Sequence, residues 1–160
     1  MILLTVGMQL GFDRLIRAID ELAPHLPMPV LAQTGMGAYT PHHMEVRPRI
    51  APVEFDALAR DAALIVSHAG IGTVLTARRL GKPIVLFPRR AALGEHRNDH
   101  QVATARQLQG RPGILLAFEE AELPPSIESA MRFPPVAFAP SPELEKLTRT
   151  VRDFIGGETV

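Results

Sequence analysis

The run from 62 to 87 limits the fold more than any other part of the chain. Ala62-Ala63-Leu64-Ile65-Val66 is a short apolar segment that reads as a buried strand. Ser67-His68-Ala69-Gly70-Ile71-Gly72 is a turn of small residues. Residues 73–80 have helical character, and Gly81 stands where a helix C-cap belongs. Ile84-Val85-Leu86-Phe87 is a second buried strand, closed by Pro88. Strand, helix and strand of these lengths make a right-handed βαβ unit in a parallel sheet. Both faces of such a sheet need covering by helices, so the chain is expected to be α/β.

The same unit gathers donors. A strand feeding a glycine turn and then a helix points free N–H groups and the positive end of the helix dipole at one place. Gly70 and Gly72 permit positive φ and put no Cβ in the way of a ligand. Thr73 offers a hydroxyl and His68 a further donor. The dipole contributes about 0.3–1 kcal/mol toward an anion, and several amide bonds together make a diphosphate cradle. Many α/β domains use such a turn and bind nothing with it, so the spacing alone does not assign a ligand. It is not a Walker loop, because no Gly-Lys-Ser/Thr follows at the required distance. It is not the dinucleotide fingerprint either, since Leu75 stands where a third glycine belongs, which disfavours an NAD-dependent enzyme.

The rest of the chain supplies further alternating elements. Residues 2–6 form a buried first strand ending at Gly7. Phe12, Leu15, Ile16, Ile19 and Leu22 recur at helical spacing over 12–23, where Pro24 helps to end the helix. Residues 30–35 are a second strand and its exit, 35–43 an irregular loop, and 44–50 a third strand with Met44 and Val46 alternating against Glu45 and Arg47. Pro52-Val53-Glu54-Phe55-Asp56 precedes a helix reaching about Arg60, with Phe55, Leu58 and Ala59 on its apolar face. The polar stretch 89–101 leads into a helix carrying Val102, Ala105 and Leu108, and 114–117 is the last strand. Residues 119–131 read as a helix broken by Pro124-Pro125, and 133–142 as extended. Leu144, Leu147, Val151 and Phe154 or Ile155 mark a final amphipathic helix in the extension 138–160, expected to pack back on the domain. His42-His43 are expected to be solvated rather than metal ligands, because adjacent side chains on a strand diverge and no carboxylate sits at ligand spacing.

Composition excludes several classes. A chain of 160 residues is expected to be one domain, 1–160. With 17 basic and 17 acidic residues it offers no nucleic-acid surface. It has no cysteine, hence no disulfide framework, thiolate metal site or cysteine nucleophile. There is no signal-peptide pattern and no apolar run long enough to cross a bilayer. A cytoplasmic protein is the expectation.

Three segments together carry a resemblance: Ser67-His68-Ala69-Gly70-x-Gly72-Thr73, Gly81-Lys82-Pro83-Ile84-Val85-Leu86-Phe87-Pro88, and Glu95-His96-x-x-Asp99-His100-Gln101. They resemble the donor-nucleotide half of GT-B glycosyltransferases, and more closely the family-28 C-terminal domain. They are most similar to the small subunits of two-component UDP-sugar transferases, the PssE-type enzymes of polysaccharide assembly and the catalytic subunit of the eukaryotic lipid-linked N-acetylglucosamine transferase. The resemblance covers 1 to about 108 and is specific over 67–101. It implies a Rossmann-like parallel sheet with helices on both faces, equivalent to the C-terminal, donor half of a GT-B enzyme. It implies a donor site in which Gly7 lines the cleft, main-chain atoms near Val53 meet the uracil, and Ser67, His68, Gly70, Gly72 and Thr73 hold the diphosphate. His100 and Gln101 then bind the sugar hydroxyls, with Glu95, His96 and Asp99 as the small-subunit variant of that motif. Arg89, Arg90 or Arg97 are candidates for an acceptor diphosphate. The plain alternative for 89–101 is a solvated loop with Asn98 or Asp99 capping the next helix.

The chain departs from the wider pattern at Thr76, where most GT-B enzymes carry a glutamate that grips the ribose. Losing a charge-assisted bond there would weaken binding by about 1.5–3 kcal/mol. The resemblance implies an inverting transfer from a UDP-sugar without metal or cofactor, His68 stabilising the leaving group and the general base unassigned. It further implies a membrane-associated, PssD-like partner on the inner face that brings a polyprenyl-diphosphate-linked acceptor, with little turnover in the partner's absence. A non-catalytic nucleotide-sugar-binding scaffold subunit is the alternative, and a UDP-sugar epimerase is disfavoured by length.

Overall fold

The computed structural model describes residues 1–134. It alternates strands and helices in the order β1 (Ile2–Thr5), α1 (Asp13–Leu22), β2 (Val30–Gln33), β3 (Glu45–Arg47), α2 (Pro52–Asp61), β4 (Leu64–Ser67), α3 (Ile71–Arg79), β5 (Ile84–Leu86), α4 (His100–Leu108), β6 (Ile114–Leu116) and α5 (Leu123–Met131). All pairings are parallel, and the six strands lie in the order β3-β2-β1-β4-β5-β6. This is the doubly wound order in which the chain starts at the centre and winds first one way, then the other. The expected α/β architecture with helices on both faces is what forms.

The two-residue period of the strands divides the core. Ile2 and Leu4 point to the face covered by α1 and α5, where they join Leu15, Ile16, Ile19, Val66, Leu123 and Ile127. Leu3, Ile65, Ile84 and Leu86 point to the other face, against Ala59, Val74, Ala77 and Ala105 of α2, α3 and α4. A strand buried on both sides cannot alternate apolar and polar, which is why these strands read as unbroken apolar runs. Burying one such large side chain contributes about 1.5–3 kcal/mol, and Ile2, Leu3, Leu4, Leu64 and Ile65 are all fully buried.

Local chemistry sets the ends. The α3 helix stops in a Schellman arrangement: Gly81 has φ +66°, its N–H reaches Arg78 O at 3.1 Å, and Lys82 N–H reaches Ala77 O at 2.8 Å. Pro24 does not simply end α1 but sits in a 3-10 turn over Ala23–His25. Nor do Pro124 and Pro125 break a helix over 119–131. A 3-10 turn at Glu120–Glu122 comes first, closed by reciprocal Glu119 and Glu122 capping bonds, and the prolines occupy the first turn of α5. Proline costs nothing there, because no N–H is needed. The third strand is shorter than expected and is a partly exposed edge, with Val46 37% accessible. The fourth begins later, at Leu64, because Ala62 still closes α2.

No helix links β2 to β3. The segment between them is held instead by Asp20 of α1, only 1% exposed. Its carboxylate accepts the His43 N–H at 2.8 Å, the His42 N–H at 3.0 Å and the Tyr39 hydroxyl at 2.8 Å. Burial alone would raise the Asp20 pKa, but the His42 and His43 amides and the Tyr39 hydroxyl outweigh it and hold it below the usual range. The adjacent histidines thus contribute their main chain. Their rings lie 6.4 Å apart and nearly perpendicular. The extended segment 133–142 and the final helix expected from Leu144 onward lie outside the described residues, apart from Phe133 and Pro134.

Candidate functional site

Strands β1 and β4 are neighbours at the point where the winding reverses. In an open parallel sheet a crevice forms outside the carboxyl ends of such a pair. The loop after β1 and the turn after β4 form its walls. Between them lies a pocket of about 150 Å³ lined by Gly7, Gln9, His68, Arg89, His96 and Gln101, together with Val6, Met8 and Leu10. Five residues expected at the site, Gly7, His68, Arg89, His96 and Gln101, therefore meet although they come from three separate loops.

The His68 ring sits between two glycines. A Cβ on Gly7 would come within 3.1 Å of His68 Cε1, and one on Gly70 within 2.3 Å of Nε2. The need for glycine differs from the one read in the sequence. Gly70 has φ −88° and, with Gly72, is not among the positive-φ glycines, whereas Gly7 is, at φ +78°. Gly70 leaves room for the imidazole, and Gly72 opens on empty space. Ser67 is fully buried, its hydroxyl 3.4 Å from His68 Nδ1, so it supports the ring rather than facing the pocket. The Nε2 edge therefore lies over the start of α3.

Burial pushes the His68 pKa down to about 4; the nearby Arg89 charge and His96 push the same way, against the Thr5 main-chain contact. The ring is neutral at pH 7. A neutral ring carries one N–H and one acceptor nitrogen, so it offers a hydrogen bond and no charge.

Beside it, α3 begins at Ile71 with Gly70 in the cap position and no side chain capping its amides. The N–H groups of Ile71, Gly72 and Thr73 have no carbonyl within the helix to meet. Ile71 and Gly72 are exposed, and Thr73 half-buried. Neither the Thr73 nor the Thr76 hydroxyl has a hydrogen-bond partner among the described residues. Val53 is 85% exposed on the first turn of α2 and does not reach the pocket.

The polar loop 89–101 is less available than its composition suggests. Glu95 is bound in a two-pronged pair with Arg14, at 2.6 and 2.9 Å, and also accepts the Arg90 N–H at 2.9 Å. Asp99 accepts the Ala91 N–H at 2.8 Å. Both carboxylates shape the loop; Glu95 is 11% exposed, whereas Asp99 is exposed. Asn98 accepts from the His100 amide and meets its ring. Arg90 donates to Phe118 O and to Glu119 at 2.7 Å. Arg89 is 2% exposed, with its guanidinium on main-chain carbonyls, so neither of these arginines is a free cation. Gln101, 5% exposed, accepts the Arg89 N–H at 3.2 Å through Oε1. Its Nε2 has no partner among the described residues. The His96 and His100 rings meet edge to face at 4.4 Å, and His96 Nδ1 is buried with no hydrogen-bond partner among the described residues. Burial, then His100 and Arg89, lower the His96 pKa.

Sequence reasoning did not find the support beneath the pocket. Phe12 and Phe87 stack with centroids 5.9 Å apart. The Arg89 guanidinium lies 4.4 Å from the Phe12 ring centre and that of Arg14 4.2 Å from Phe87. Nothing local marks Arg14 among the other polar residues of its helix; its partner Glu95 is 81 positions away.

A doubly wound sheet with open helix amides and convergent polar groups at its switch point is the arrangement in which α/β domains place their ligand sites. The glycosyltransferase family 28 C-terminal domain matches residues 1–148, and the chain belongs to that family. It is 29% identical over 134 residues to the UDP-N-acetylglucosamine transferase subunit ALG13 of Yarrowia lipolytica (strain CLIB 122 / E 150), covering 73% of this chain and 64% of that protein, less than two thirds. Among solved structures it is similar to the glycotransferase of kitacinnamycin, with TM-score 0.62, 21% identity, and 94% of this chain covering 38% of that one. The fold is likewise similar to MurG of Acinetobacter baumannii, with TM-score 0.58, 22% identity, and 81% of this chain covering 41% of that one. These likenesses fix the fold as the C-terminal half of a GT-B glycosyltransferase.

Proposed function

We propose that the chain is the donor-binding subunit of an inverting UDP-sugar glycosyltransferase. In this reading it transfers a hexosyl unit to a polyprenyl-diphosphate-linked acceptor brought by a membrane-associated partner subunit, at the inner face of the membrane. The observation that carries it is the row of amides at Ile71, Gly72 and Thr73, without a partner among the described residues, beside the neutral His68 ring. Family membership and the likeness to a protein named as a UDP-N-acetylglucosamine transferase subunit support it.

The chemistry follows from the charge that develops. An acceptor hydroxyl attacks the anomeric carbon, the bond to the diphosphate oxygen breaks, and UDP leaves with the extra negative charge. Fixed amides aimed at that oxygen, joined by His68 in the tautomer that carries its proton on Nε2, stabilise the charge as it grows, with no reorganisation. In this reading Gln101 Nε2, which has no partner among the described residues, donates to a sugar hydroxyl. The acceptor proton goes to a base on the partner. No metal or cofactor takes part.

Isothermal titration with UDP and with UDP-glucose, UDP-glucuronate, UDP-galactose and UDP-N-acetylglucosamine tests this. His68→Ala should weaken UDP by roughly tenfold, the worth of one good hydrogen bond. Gly72→Ala has free space for its methyl group, so it should fold normally while crowding the amides and weakening UDP. Equal affinity of both variants and the parent chain would place the nucleotide elsewhere.

A further inference from the structure

We infer that Arg89 is the positioning residue that holds the β1–α1 loop in the shape the donor pocket needs. Arg89 follows β5, yet its guanidinium reaches across to the other wall of the crevice. Nη2 donates to Val6 O and Leu10 O, both at 2.8 Å, and Nη1 donates to Gly11 O and, at 3.5 Å, to Glu95 O. Three carbonyls of one loop are thus gathered on one planar cation, which lies over the Phe12 ring at 4.4 Å. A fork of fixed N–H groups matches several carbonyls at once, and a lysine ammonium does not.

Two features tie this to the pocket. Gly7, Met8, Gln9 and Leu10 line it, and they are the residues between the held carbonyls. Arg89 also carries the charge that joins burial in keeping the His68 ring unprotonated. Buried and committed to main chain, Arg89 does not reach out to an acceptor diphosphate. It acts through the loop and through His68. The binding arm of this inference rests on the donor-site reading above; the loop and titration arms do not.

The test uses the full chain with Arg89→Lys and Arg89→Met. The order parameters of the 7–11 amides, from 15N relaxation, should fall to below about 0.6 in both variants, while those of β4 stay high. The His68 titration midpoint, followed by NMR, should rise in Arg89→Met and stay nearer the parent value in Arg89→Lys, which keeps the charge. UDP affinity should fall by on the order of tenfold in both. Unchanged loop order overturns the inference. Lost UDP binding with unchanged loop order also overturns it, because Arg89 then contacts the ligand directly. A parent chain that binds no UDP defeats the donor-site reading and leaves the loop and titration arms standing. Should neither variant fold, the parent chain decides: slowly exchanging Arg89 guanidinium protons support the inference, and rapid exchange overturns it.

Discussion

At the residue scale, His68 is the group whose behaviour depends most on its surroundings. Its folded pKa of about 4 lies below the ordinary 6.5. Between those values the unfolded chain takes a proton that the folded ring refuses. The stability that comes from a neutral His68 is therefore full above about pH 6.5 and is lost as pH falls toward 4, by up to about 3 kcal/mol. Urea unfolding at a series of pH values should show this slope in the parent chain and a flatter one in His68→Gln; equal slopes would mean that other groups carry it. Asp20 adds a second loss at lower pH. Its folded pKa is depressed, so its contribution is present above the ordinary carboxylate value of 3.8 and fades as pH falls below it. His68 was legible in the sequence as a candidate, because it follows an apolar strand and stands two residues before Gly70. Gly70 and Gly72 were legible only as glycines. That Gly70 makes room for a ring and Gly72 opens on empty space is a fact of packing, which local spacing does not record.

At the element scale, the helix and the loop on either side of the pocket are joined by one pair. Arg14 of α1 and Glu95 of the 89–101 loop are 15% and 11% exposed. Arg14 also donates to Pro88 O at 3.2 Å. Removing one member of a largely buried pair leaves the other charge short of partners. Glu95→Gln should destabilise the chain by about 2 kcal/mol, and Arg14→Met by a similar amount. The double variant should cost clearly less than the two together, because the stranded charge is gone. A denaturant double-mutant cycle measures this, and simple additivity would mean the two side chains act independently. The elements themselves were legible from apolar runs and helical spacing, and the α3 end from Gly81. Contacts such as Arg14–Glu95 and Asp20 to the 39–43 segment were not, since sequence periodicity reports what is near along the chain. The loop's carboxylates resembled ligand groups in composition, and only the fold shows Glu95 and Asp99 turned to hold it.

At the scale of the whole molecule, the site is a wall rather than an enclosure. Pockets that bury most of a small ligand run to roughly 300–1,000 Å³. The crevice here is about 150 Å³. In the proposed reading the helix amides and His68 receive the diphosphate, whereas the sugar end meets few groups beyond Gln101 and His96. The isolated chain should therefore bind UDP about as well as any UDP-sugar, within a factor of roughly three, or about 0.7 kcal/mol, because the sugar adds little contact. Covering the crevice with the proposed partner should change that ratio. A closed site excludes water from the anomeric carbon and supplies new sugar contacts, so the correct UDP-sugar should gain more than UDP by tenfold or more. Titrating both ligands into the chain alone and into the co-purified pair gives the four affinities needed. A chain that by itself prefers one UDP-sugar strongly over UDP, or transfers sugar at the rate of the pair, would show that this half already holds the whole determinant of specificity.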